Sequence, residues 1–162
     1  MKANQKRAAF LAKIPTASIE LSTDTLAKRA KFNFSYFTVQ ESAGQNFNDL
    51  NEGELITLYE KLKNFSKESL DHWEKMPIGK KSGHVLEIYG KFPAKSSFTE
   101  PDHIPHQALW ASFRIDSSTR LVGFVLPKKF SGQKHECGFS FDCNTFYVVF
   151  IDKHHEFYLL KK

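Results

Sequence analysis

The sequence predicts an α+β domain over residues 31–162: a small, mostly antiparallel sheet with two helices packed on one face, preceded by a basic N-terminal arm over residues 1–30. Three observations carry that prediction. Residues 109–115 and 120–126 are apolar-rich runs separated by the polar turn Asp116-Ser117-Ser118-Thr119, which reads as an antiparallel hairpin. Residues 145–151, Thr-Phe-Tyr-Val-Val-Phe-Ile, are aromatic or β-branched throughout, the composition of a central strand buried on both faces. Between residues 51 and 75 the apolar spacing is that of helices. Strands and helices therefore fall in separate blocks, as in an α+β chain.

Composition bounds the rest. A chain of 162 residues, 41% hydrophobic, is long enough for one domain with a sizeable core. Sixteen Phe residues predict that this core is made of large flat side chains clustered on sheet faces. Lys and Arg total 23 against 18 Asp and Glu, a net charge of +5 that accommodates nucleic acid or other anionic partners without requiring them. No run of about 18 apolar residues is present, so no membrane span is expected. The apolar patch at residues 8–12 stops at Lys13, too soon for a secretory signal, and a cytoplasmic location is expected. There Cys137 and Cys143 are expected to be reduced thiols.

Taken in order, the arm has helical potential at residues 5–13 and 24–31, with Asp24 placed to cap the second piece. Residues 31–39 alternate, Phe32, Phe34 and Tyr36 on one side and Asn33 and Ser35 on the other, which predicts a half-buried strand. Asn51-Glu52-Gly53-Glu54 reads as a capping box with Leu50 and Leu55 as its hydrophobic staple, and Leu55, Leu58, Tyr59 and Leu62 follow on one helical face. A second helix start is read at Ser66 and continues to about Lys75, after which Pro77 and the stretch 79–83 end it. Residues 85–89 predict a short strand, 96–107 a loop, and 128–144 an excursion from the sheet.

Several constellations bear on chemistry. Gly79-Lys80-Lys81-Ser82-Gly83 lacks both the spacing and the strand-to-helix setting of a nucleotide-binding loop, although its two lysines suit a phosphate backbone. His103 and His106, taken with His135, Cys137 or Cys143, lack the tight ligand spacing of a structural zinc site. Nothing marks either thiol as an activated nucleophile.

The segment 99–155 is different. Glu100-Pro101 is followed by Trp110 ten residues after the glutamate, then by Arg114-Ile115-Asp116-Ser117-Ser118-Thr119-Arg120-Leu121-Val122, and the last strand runs into Lys153-His154-His155. In residue type and joint spacing this resembles the RelE/YoeB-like toxin ribonucleases, small basic proteins that cut messenger RNA, usually on the ribosome, and are neutralised by an antitoxin. The resemblance implies a RelE/ParE-like fold, RNA and the ribosome as targets, an antitoxin partner, and cleavage through the ribose 2′-hydroxyl with no metal or other cofactor. It further implies Glu100 as general base, Arg120 as the cation that stabilises the charged phosphorane, and His154 as general acid.

Elementary chemistry agrees with that division, because such cleavage needs a proton acceptor, a proton donor and a positive group. His155 and Tyr158 compete with His154 for the acid role, since the family's terminal Tyr is replaced here by His155. Arg114 is expected as a second phosphate contact on RNA, with Lys80, Lys81 and Lys153 as weaker ones. With a four-residue turn, however, Arg114 and Arg120 point to opposite faces; a bulge, or a turn of three or five residues, is needed to bring them together. The alternative reading is a non-catalytic RNA-binding or protein-interaction module on the same fold.

Overall fold

The computed structural model describes residues 2–13, 18–79 and 83–159. Its elements are α1 (Lys2–Leu11), β1 (Lys31–Asn33), α2 (Glu52–Phe65), α3 (Leu70–Lys75), β2 (Leu86–Gly90), β3 (Leu109–Arg114), β4 (Arg120–Val125) and β5 (Thr145–Asp152). The five strands form one open mixed sheet in the order β1-β5-β4-β3-β2; β1 runs parallel to β5 and the other three pairings are antiparallel. The class is α+β, as expected. Among the described residues no helix is long and apolar enough to cross a membrane.

The sheet separates two apolar layers. On one face α2 and α3 bury Leu58, Phe65, Leu70 and Trp73 against Leu86, Phe113, Leu121 and Phe146. On the other, Phe98 and Phe157 close over Trp110, Phe124 and Phe150. That second cover is loop and tail, tied together where the Ser97 amide donates to the carbonyl of Glu156 and the Leu159 amide to that of Lys95. The described side chains of α1 are all exposed.

Local chemistry accounts for the helix boundaries. Asn51 caps α2 by accepting from the Glu54 amide at 3.0 Å, while Glu54 accepts from the Asn51 amide at 2.9 Å, the reciprocal pair expected from the sequence. The stripe turned to the sheet is Leu55, Leu58, Leu62 and Phe65. Tyr59 does not share it: one residue on is about 100° around the helix, and the ring is 70% exposed. Nor does Ser66 start the second helix. It closes α2, its hydroxyl donating to the Leu62 carbonyl, and Ser69 caps α3 by accepting from the His72 amide.

Two strand expectations also change. Strand β1 stops at Asn33, whose side chain accepts from the Ser35 amide and turns the chain. Phe32 consequently packs in the helix-side layer, whereas Tyr36 lies edge-on to Phe124 and Tyr147 in the other. The Thr38 and Gln45 amides then donate to the Val149 and Ile151 carbonyls, occupying the edge of β5 that β1 is too short to cover. Strand β5 is interior, but the middle strand is β4. In the arm, residues 24–31 hold a single helical turn, Leu26–Lys28, with Asp24 accepting from the Leu26 amide.

Candidate nucleic-acid interface

On the face away from the helices, cross-strand register arranges side chains in rows. The row at the end of the β3–β4 hairpin is Arg114, Arg120 and Asp152. The next is Glu87, Ser112, Val122 and Phe150, and the third runs through Trp110, Phe124 and Tyr147, with Tyr89 at the irregularity in β2 beside it. The flanking residues Leu86, Ile88, Phe113, Ile115 and Leu121 belong to the helix-side layer, which fixes which residues point the other way.

Arg114 and Arg120 are direct partners across the hairpin, so the connection is residues 115–119, five rather than four, and both side chains leave the same face. The turn is held by the Asp116 carboxylate, which accepts from the amides of Ser118 and Thr119, each at 2.8 Å. Burial pushes the Asp116 carboxyl up, but those donors outweigh it and hold it below its ordinary value. The carbonyl of Asp116 accepts from Arg114 Nε at 3.2 Å and Arg120 Nη1 at 3.0 Å, and Arg120 Nη1 also donates to the Thr119 carbonyl. One backbone oxygen thus gathers two guanidinium groups.

Arg120 is only 9% exposed. Burial, followed by the like charge of Arg114, lowers its pKa, yet a guanidinium stays protonated at any ordinary pH. Among the described residues every ion pair is made by a lysine or a histidine. The two carboxylates nearest the pair are committed elsewhere: Asp116 to its turn, and Asp152 to the amides of His154, Glu156 and Phe157. Nε and Nη2 of Arg120 have no acceptor among the described residues. Since no buried side-chain nitrogen there lacks a partner, those donors reach the surface. A cleft of about 350 Å³ that also touches Arg120 opens on the opposite, helix side of the hairpin tip, under the first turns of α2, and is not part of this face.

Beside the arginines, Tyr89 and Ser112 share a hydrogen bond of 2.8 Å between their hydroxyls. Burial raises the Tyr89 pKa against the pull of that bond, which keeps the phenol neutral. Tyr158 stacks on the Tyr89 ring at 4.9 Å. Glu87 accepts from the His84 amide at 2.6 Å, and His84 Nδ1 lies 3.6 Å from the same oxygen.

The residues singled out from the sequence divide accordingly. Arg114 and Arg120 are together. His154 and His155 are exposed and follow Asp152, the strand partner of Arg120, so they lie at the same end of the sheet. His155 takes a left-handed backbone with φ of 58°. Tyr158 returns to the site by way of Tyr89. Lys153 is paired with Glu54 at 2.7 Å, and that ammonium holds the Glu54 carboxyl below its usual value. Lys80 and Lys81 lie outside the described residues.

Glu100 is not beside Arg120. Its carboxylate accepts from Trp110 Nε1 at 2.8 Å, and Trp110 is four residues from Arg114 along β3, about 13 Å at strand rise. Of the residues considered for zinc, His103 stacks on Tyr36 and His135 Nδ1 lies 3.0 Å from Cys137 Sγ, while Cys143 is taken up by the Pro127 carbonyl. Among the described residues no three metal-binding side chains converge.

Sequence reading missed His84, Glu87, Tyr89 and Ser112. The alternation of Leu86 and Ile88 with Glu87 and Tyr89 was there to be read, but nothing local says which strand β2 joins or in what register. Compared with protein-family models, with curated proteins and with solved structures, the chain finds no match.

Proposed function

We propose that the chain is a toxin-type endoribonuclease on a RelE/ParE-like fold. In this reading it cuts messenger RNA, free or on the ribosome, through the ribose 2′-hydroxyl, and an antitoxin protein is its natural inhibitor. The observation that supports this best is the Arg114–Arg120 pair. Two like charges held at one carbonyl, one of them nearly buried, and neither met by a carboxylate among the described residues, form a fork for a group that shares negative charge over two oxygens. A phosphodiester is such a group, and its charge grows in the phosphorane, where fixed guanidinium donors stabilise it most.

Arg120 then carries the developing charge and Arg114 orients the phosphate, with His154, His155 or Tyr158 protonating the leaving 5′-oxygen. The net charge of +5 favours encounter with RNA. The separation of Glu100 from Arg120 favours the second reading, an RNA-binding module that uses the same arginines and the Tyr89–Tyr158 stack without cutting.

Growth on expression, and cleavage of labelled RNA by purified protein with and without ribosomes, decide between them. The nuclease reading expects growth arrest, 2′,3′-cyclic phosphate ends, and a fall of about 100-fold or more in cleavage for Arg120→Ala. RNA binding that loses salt dependence in the arginine variants, with no cleavage by the wild type, leaves the binding module.

A further inference from the structure

Cleavage through the 2′-hydroxyl needs a proton acceptor within reach of the phosphate held by the arginines, and Glu100 is taken up by Trp110, two rows away. We propose that Glu87 takes that proton, with His84 and the Tyr89–Ser112 hydroxyl pair forming the polar wall against which the ribose lies. This rests on the nuclease reading above.

Register carries the assignment. Glu87 is the strand partner of Ser112 and therefore the diagonal neighbour of Arg114, about 7 Å away between backbones on the same face. That gap is one that two long side chains can span, yet no ion pair joins them: Arg114 turns to the Asp116 carbonyl and Glu87 Oε1 takes the His84 amide. The gap is wide enough for one nucleotide to be touched by both, its phosphate by Arg114 and Arg120 and its 2′-hydroxyl by the carboxylate.

The carboxylate is held and yet open. Oε1 is anchored by the His84 amide, whereas Oε2 has no hydrogen bond among the described residues, and the side chain is 42% exposed. The titratable groups around it are His84 on its own strand approach, Tyr89 two residues on, Arg114 on β3 and, beyond Tyr89, Arg120 and Tyr158. Of the other carboxylates at this end of the sheet, Asp116 and Asp152 are spent on backbone amides, and Glu54 on Lys153 and the Asn51 amide.

In the step itself the 2′-O–H bond breaks and its proton passes to Glu87 Oε2. The 2′-oxygen bonds to phosphorus, and the P–O5′ bond breaks as the 5′-oxygen takes a proton from the acid. The products are a 2′,3′-cyclic phosphate and a 5′-hydroxyl, so atoms and charge balance without a metal or a redox partner.

The test is a pH–rate profile of the purified full chain on a mixed-sequence oligoribonucleotide, free and threaded on ribosomes. Glu87→Gln retains an acceptor for the His84 amide, so folding is preserved, and a matched melting temperature checks this. The expected result is a fall in kcat of about 100-fold or more, KM within a few-fold, a flattened acidic limb, and partial recovery in Glu87→Asp. An acidic limb and rate left intact in Glu87→Gln, while Arg114→Ala and Arg120→Ala abolish cleavage, overturns the assignment and leaves the nuclease standing. No cyclic phosphate from the wild type on either substrate overturns both.

Discussion

Asp152 shows how much one side chain organises. It is fully buried at the end of β5, opposite Arg120, and its two oxygens take the amides of His154, Glu156 and Phe157. That carboxylate turns the chain back across the sheet and so places both His154 and the aromatic plug Phe157. Because charge-assisted bonds to backbone amides are strong and their loss strands donors, Asp152→Ala is expected to cost about 3 kcal/mol or more. The check is a lower urea midpoint with unchanged slope, Asn being milder because one oxygen remains. Arg114 and Arg120 illustrate the opposite case, a local arrangement that does not neutralise itself. The Arg-x-x-x-x-x-Arg spacing was legible in the sequence; which face each side chain took was not, because one residue of turn length decides it.

At the scale of elements, β4 and β5 approach closest at Gly123, where the pairing shifts and Val149 is the extra residue. A Cβ at Gly123 would collide with the carbonyl of Tyr147 and meet the Phe146 ring at 2.8 Å. Gly123→Ala is therefore expected to force the two central strands apart, at about 3 kcal/mol, read by denaturant melting.

The excursion 128–144 is fastened to α3 differently, by Lys128 bridging Asp71 at 2.9 Å and Glu74 at 3.4 Å. Lys75 and Lys128 lower the Asp71 pKa from 3.8 to about 2. A carboxyl depressed in the folded state contributes stability above its unfolded value, a contribution lost as pH falls through the folded one. The clasp is thus expected to hold at pH 4 and release toward pH 2, and to weaken in high salt. Amide exchange in residues 128–144 checks this, an unchanged pattern at pH 2 counting against it. The capping box of α2 was plain from four residues. The start of α3 was misplaced because Ser66 and Ser69 both precede apolar residues at similar spacing, and only the packing of Trp73, whose indole donates to the Phe65 carbonyl, selects Ser69.

Across the whole molecule, stability rests on two layers rather than one, and among the described residues no helix covers the second. Phe157 lies between Phe92, Phe98 and Trp110 and is 1% exposed. Phe157→Ala is expected to cost about 3–5 kcal/mol, lowering the melting temperature and weakening the near-ultraviolet signal of Trp110. Tyr158 should lose its seat on Tyr89 in the same variant, coupling core to candidate site.

The α+β class, the hairpin, the α2 cap and the aromatic core follow from the residues alone, because period, turn chemistry and capping act within a few residues. Packing across the sheet adds that β1 joins β5 in parallel, that Glu100 is held by Trp110 two rows from the arginines, and that Ser112 and Glu87 stand in the row next to the Arg114–Arg120 pair. The reason is that strand order and register are fixed by burial across the sheet between residues far apart in the chain, which no local pattern records.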